Sequence, residues 1–187
     1  LRACSYSMMR AKRIAHVRGA EEEAVRLARR WGADPVKAAR AAILHDCTKY
    51  LEREEQLQLC EKYGIVLDEL ERQAVKLLHS KTGAWIARDV FGADDEVFEA
   101  IYWHTTGKAD MSLLEKILYM ADYVEPNRDF PGVERLRELA YTDLDAAVVA
   151  GCETSIQEME DRGLEVHRNT LAARDFLLKN GKGTGNS

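Results

Sequence analysis

Apolar residues recur at helical spacing along almost the whole chain. In AKRIAHVRGAEEEAVRLARRW, Val17, Ala20, Ala24, Leu27, Ala28 and Trp31 fall on one face, as an amphipathic helix requires. GADP interrupts the pattern, and Pro35 suits the first turn of a second helix with the stripe Ala38, Ala41, Ala42 and His45. EREEQLQLCEKYG predicts a helix closed by Gly64, followed by helices over 68–79 and 81–91. GADDEVFEAIYWHTTG opens with an aspartate cap and predicts a helix reaching Gly107. SLLEKILYMADYVEP opens with a capping box, Ser112 to Glu115, and predicts a helix stopping before Pro126. DFPG reads as a turn, and helices near 132–140, 143–162 and 168–179 complete the set; Asn169 or Thr170 suits either a cap for the last or a base or ribose contact. No stretch alternates with period two. The fold class expected is therefore all-α, a bundle of about eight to ten helices.

The 187 residues suit one domain, expected over 8–180, and the Gly-rich 181–187 reads as a disordered tail. A hydrophobic content of 46% beside 32% charged residues provides for an ordinary buried core. The net charge of -5 argues against a general nucleic-acid binder, though not against a small anion held by local cations. Cys4, Cys47, Cys60 and Cys152 form no C-x-x-C pair, which fits reduced thiols better than a disulfide frame. No apolar run approaches the ~20 residues that span a bilayer, and LRACSYSMMRAKR lacks the apolar core of a signal peptide. The expectation is a cytoplasmic protein with no membrane partner; a homodimer is compatible with the sequence.

The chemistry sits where apolar stripes end. In AAILHDCTKY, four apolar residues run into His45 and Asp46, and an ionised carboxylate there is costly unless compensated. His16 lies beside the apolar face of the first helix; His79 follows Leu77 and Leu78; His104 lies three after Ile101; Asp122 lies four after Leu118. Any one of these, alone, reads best as a satisfied core or boundary residue. Four histidines and two carboxylates recurring in this setting on separate helices point instead to a shared metal site. Imidazole and carboxylate suit iron, manganese or zinc, whose charge would allow Asp46 to stay ionised. His45 and Asp46, being adjacent, diverge on a helix, and the carboxylate has an oxygen for each of two ions. Lys49, at i+3 from Asp46 and i+4 from His45, shares their face, either as a plain ion pair or as a phosphate contact.

The ordered set His16, His45-Asp46, His79, His104, Asp122 resembles the HD-domain metal-dependent phosphohydrolases of the two-metal branch. The words LHDCTK, LLHSKTGAW, YWHTTGK, YMADYVEPNRDFPGVERLR and EVHRNTLAARDFLL are similar to the YqeK family over about residues 12–179, with no departure at a metal position. Those proteins are bacterial symmetrical bis(5′-nucleosyl)-tetraphosphatases, which cleave diadenosine tetraphosphate to two ADP. The resemblance implies one HD-type domain and two metal ions, usually assigned as iron, with manganese or another transition metal as the alternative. It places His16, His45, Asp46 and Asp122 on one ion and Asp46, His79 and His104 on the other. Asp46 and Lys49 are the expected catalytic pair, and a hydroxide bridging the ions is the expected nucleophile on phosphorus. Substrate contacts are expected from Asp46, Cys47, Thr48 and Lys49, from His104 and Thr105, and from Arg128. The EVHRNT stretch adds Glu165, Val166, His167, Arg168, Asn169 and Thr170; His167 is not expected to bind metal. The expected partners are a dinucleoside tetraphosphate and its ADP or GDP product. Two other readings stay open: a phosphohydrolase for another nucleotide, and a metal or nucleotide sensor without turnover.

Overall fold

The computed structural model describes residues 1–181, and its regular structure there is entirely helical. The helices are α1 (Arg2–Ser7), α2 (Ala11–Trp31), α3 (Pro35–Leu44), α4 (Arg53–Lys62), α5 (Glu69–Gln73), α6 (Leu78–Phe91), α7 (Asp95–Trp103), α8 (Leu113–Val124), α9 (Val133–Thr142), α10 (Leu144–Asp161) and α11 (Arg168–Gly181). Of the tail expected over 181–187, Gly181 ends α11; the remainder lies outside the described residues.

Helix α2 packs against α3 and α8, and α7 packs against α3, α6 and α8. Small residues let α2 and α3 approach closely. Ala24 and Ala28 share one buried cluster with Ala38, Ala41 and Ala42, and Leu27, Leu44, Ile101, Ile117 and Leu118 fill its centre. A full burial of each such leucine or isoleucine contributes about 1.5–3 kcal/mol. Helices α9, α10 and α11 close the far side, joined to α8 through Tyr119, Leu136 and Cys152. A smaller cluster, Cys60, Leu67 and Leu78, sits under α4.

The local signals account for most boundaries. Asp34 caps α3 by accepting from the Val36 and Lys37 amides, and Pro35 follows at its first position. Ser112 and Glu115 form the capping box of α8. Two segments depart from expectation. The single helix expected over 68–79 is a short α5, a bend at Ala74 (φ -97°, ψ 68°), a 3-10 turn over Val75–Leu77, and then α6, which runs unbroken through residue 80. Tertiary contacts override the period here. Glu71 caps the Asp68 amide at 3.0 Å and also pairs with Lys81 of α6 at 2.5 Å, so the chain must turn back between them. Helix α1, ahead of the domain start expected at residue 8, is fastened by Ser5 Oγ donating to the Ile43 carbonyl at 2.7 Å.

Helix α7 ends at Trp103 rather than Gly107, and a turn carries His104 to Thr106. Gly107 takes a φ of 67°, where an added Cβ would also crowd Ala173 at 3.1 Å. That glycine lets the turn lie flat against α11, where Thr170 Oγ1 donates to the Thr106 carbonyl at 3.0 Å. Among the described residues, no helix is long and apolar enough to cross a membrane.

Candidate metal centre

Five elements bring the six expected residues together. His16 comes from the early turns of α2, and His45 and Asp46 follow the last turn of α3. His79 is the second residue of α6, His104 follows α7, and Asp122 lies in the last turn of α8. Asp46 is fully buried and stands at the middle. Its Oδ2 lies 3.3 Å from His45 Nε2 and 3.7 Å from His16 Nε2; its Oδ1 lies 3.1 Å from His79 Nε2 and 3.9 Å from His104 Nε2. Asp122 Oδ1 stands on the first side, 2.9 Å from His16 Nε2 and 3.6 Å from His45 Nε2. The two carboxylate oxygens thus face two different sets of imidazoles.

The rings are held by their outer nitrogens. His45, His79 and His104 each donate from Nδ1 to the carbonyl three residues back, on Ala42, Lys76 and Ile101, at 2.6–2.7 Å. His16 donates instead to Glu125 Oε1 at 3.1 Å. Protonation at Nδ1 leaves every Nε2 an inward-facing lone pair. His79 Nε2 and His104 Nε2 then confront each other at 3.2 Å, and the Nε2 atoms of His16 and His45 are buried without a hydrogen-bond partner. Facing lone pairs and buried orphan acceptors are destabilising unless a cation lies among them. The donor set therefore fits metal ions, and imidazole with carboxylate suits transition metals rather than calcium. Two triads, His16–His45–Asp122 and His45–Asp46–His104, have ligand atoms within 4.8 Å of one another.

Without metal, protons and side-chain cations answer the charge. Burial works against a charged His45, but the nearby carboxylates of Asp46 and Asp122 outweigh it and hold the ring up at about 9. Burial likewise opposes ionisation of Asp46, yet the His45 charge, the approach of His79 and the Lys49 ammonium keep it well below the usual carboxylate range. Asp122 is held low against burial by the His16 and His45 imidazoles beside it. His104, buried beside His45 and His79, is pushed well down.

Three residues outside the expected set take part. Arg13, one turn before His16, donates through Nε to Asp46 Oδ2 at 2.5 Å. Glu125, 1% exposed, orients His16 while accepting from the Asn127 amide and side chain, both at 2.8 Å. Gly19 makes room for it: a Cβ there would overlap Glu125 Oε2 and reach Asn127 Nδ2 at 3.0 Å. The signals were present but mute. Arg13 and Gly19 each lie three from His16 on α2, and Glu125 lies three after Asp122, yet nothing local distinguishes them from a surface charge or an ordinary helical glycine.

The expected substrate residues divide. Lys49 Nζ lies 3.3 Å from Asp46 Oδ1 and stays partly exposed. Thr105 Oγ1 donates to Ser80 Oγ at 3.1 Å, and Arg128 holds Asp122 Oδ1 at 2.9 Å; with His104 they border a large cleft. The side chains of Cys47 and Thr48 turn away from the centre. The Cys47 thiol packs 3.8 Å from the Gly83 carbonyl, where burial pushes it up to about 12, and Thr48 donates to the His79 carbonyl at 3.0 Å. They fasten the Asp46 segment to α6. Glu165 and Arg168 are exposed, Val166 and Asn169 half-buried, and Thr170 is spent on Thr106. His167, rather than Asn169 or Thr170, caps α11, its Nδ1 accepting from the Asn169 amide at 3.1 Å. Its Nε2 stands 3.5 Å from Glu71 and 3.6 Å from Asp68, apart from the metal centre.

Comparison with known proteins gives a consistent picture. Residues 13–127 match the HD domain family. The chain is 40% identical over 172 residues to the symmetrical bis(5′-nucleosyl)-tetraphosphatase of Halalkalibacterium halodurans, covering 89% of each chain. It is 36% identical to the protein of that name from Bacillus subtilis, over 94% of this chain and 95% of that one. Among solved structures it is similar to an HD superfamily hydrolase from Clostridium acetobutylicum, described as involved in NAD metabolism. That likeness has a TM-score of 0.91 and 39% identity, covering 94% of this chain and 93% of the other.

Proposed function

The chain belongs to the HD domain family and, within it, to the symmetrical bis(5′-nucleosyl)-tetraphosphatases; from that premise we propose that it is a metal-dependent hydrolase cutting dinucleoside tetraphosphates at the central bridge, giving two nucleoside diphosphates. The observation that carries the reading is Asp46, fully buried, with each oxygen facing a separate group of imidazoles. His16, His45, Asp46 and Asp122 would hold one ion, and Asp46, His79 and His104 the other; iron is our assignment, with manganese the alternative. Bound, the ions supply positive charge against phosphate oxygens and ionise water near neutral pH.

The chain's own residues supply orientation and counter-charge. The Nδ1 hydrogen bonds lock each ring with Nε2 inward, so no rotamer search accompanies metal or substrate binding. Lys49 and Arg13 lie against Asp46, where metal would displace their pairing and free both cations for phosphate oxygens. Arg128 stands at the mouth of the centre and offers a guanidinium to a phosphate. The Glu165–Thr170 stretch would hold one nucleoside. With base, ribose and two phosphates anchored, the second phosphorus falls at the centre, and the central bridge breaks. The leaving diphosphate is already a good leaving group, so no strong general acid is required. Four unpaired cysteines suit a reducing cytoplasm.

The test is product analysis by ion-exchange chromatography with iron- or manganese-loaded protein. Diadenosine tetraphosphate is expected to give ADP alone, with turnover lost in Asp46→Ala. AMP with ATP would overturn symmetrical cleavage. Metal binding without turnover would point to another nucleotide or a sensor.

A further inference from the structure

Beside the centre lies a cleft of about 1000 Å³, at the top of the usual range for small-molecule sites. It starts at His104, Asp122 and Arg128 and runs between the C-terminal end of α8, the loop to Gly132 with the first turn of α9, and α10 as far as Asp161. None of the residues from Glu165 to Thr170 lines it. We propose that this cleft receives the second, leaving nucleoside of the dinucleotide, so that two nucleoside subsites flank one metal centre. The inference rests on the function proposed above and adds the position of the other half of the substrate.

The walls match that occupant in chemistry and in order. Tyr123 and Phe130 meet edge to face at 5.7 Å, and Ser155 Oγ holds the Tyr123 hydroxyl at 2.9 Å. Both rings are half-buried and line the cleft, forming a fixed aromatic surface for a base. Arg135, in the first turn of α9, is exposed and has no ion pair or hydrogen bond among the described residues, so its guanidinium is free for a phosphate. The wall on α10 is of opposite sign: Glu158 and Asp161 line the cleft, and Gln157 Nε2 donates to Asp161 Oδ1 at 2.8 Å. Carboxylates repel phosphate but accept hydrogen bonds from ribose hydroxyls and a base amine. Arg128, at Asp122, draws phosphates to the centre, and the carboxylates of α10 leave their wall to the nucleoside.

The experiment compares diadenosine tetraphosphate with adenosine 5′-tetraphosphate, which keeps four phosphates and lacks the second nucleoside. Each is measured as an affinity, KM for the dinucleotide and KM or Ki for the tetraphosphate, with wild-type protein and Phe130→Ala. The wild type is expected to prefer the dinucleotide. In Phe130→Ala that preference falls about tenfold, the scale of one lost base-stacking contact. The ratio is taken within one preparation, so partial unfolding of the variant cancels. A preference unchanged by Phe130→Ala, in an enzyme that cleaves the dinucleotide, overturns the subsite and leaves the function standing. A wild type that cleaves no dinucleoside tetraphosphate overturns both.

Discussion

Gly19→Ala is expected to weaken metal binding although residue 19 touches no ligand atom. An added Cβ would overlap Glu125 Oε2 and lie 3.1 Å from its Cδ. Glu125 has nowhere easy to go: it is 1% exposed and accepts from His16 Nδ1, the Asn127 amide and the Asn127 side chain. Alanine is worth about 1 kcal/mol over glycine in a helix, while losing one or two of those hydrogen bonds costs about 1–3 kcal/mol. Net stability should therefore change by no more than about 2 kcal/mol. Metal affinity has no such offset. Removing the carboxylate that orients a ligating histidine typically costs about 10–100-fold. Titrating manganese into metal-free protein by calorimetry, with Glu125→Gln as a parallel, tests this. Affinity in Gly19→Ala within twofold of wild type would show that the Glu125–His16 contact does not set the site.

Chelating the metal should lower the unfolding midpoint, because the inward Nε2 lone pairs lose their cation. At a metal concentration about 100 times its dissociation constant the linkage is about 2.7 kcal/mol, or roughly 5–10 °C for a chain of this size. Scanning calorimetry with and without added manganese would show it, and equal midpoints would sink the idea. Glu71 provides a separate pH signature. Burial raises it, but hydrogen bonds from His167, Lys81 and the Asp68 backbone bring it down to about 2 from an ordinary 4.5. A lowered carboxylate stabilises above the unfolded value, and that contribution disappears as pH falls from about 4.5 to 2. It is at most about 3 kcal/mol. The stability gap between wild type and Glu71→Gln in urea should be widest near pH 6 and shrink to about a quarter of that by pH 2.5; a constant gap would contradict it.

Much of the molecule was legible in its residues because the signals were local. Helix period, the Asp34 and Ser112 caps and Pro35 depend on neighbours within a turn, and they located most helices. The six residues of the centre were legible for a related reason: each is a polar group at the inner end of an apolar stripe, and such a group must be compensated wherever the stripe leads. The divided helix around Ala74 was not legible, since Glu71 and Lys81 break it by a contact ten residues apart that no period records. Cys47 and Thr48 shared a motif with Asp46, but adjacent positions on a turn point in different directions, and theirs face α6. Tertiary structure alone decided that Glu125 reaches His16 past Gly19, that Arg13 rests on Asp46, and that Phe130 and Arg135 line the cleft beside the centre. Each of these depends on the distance between separate helices, which the packing of side chains sets and the order of residues does not.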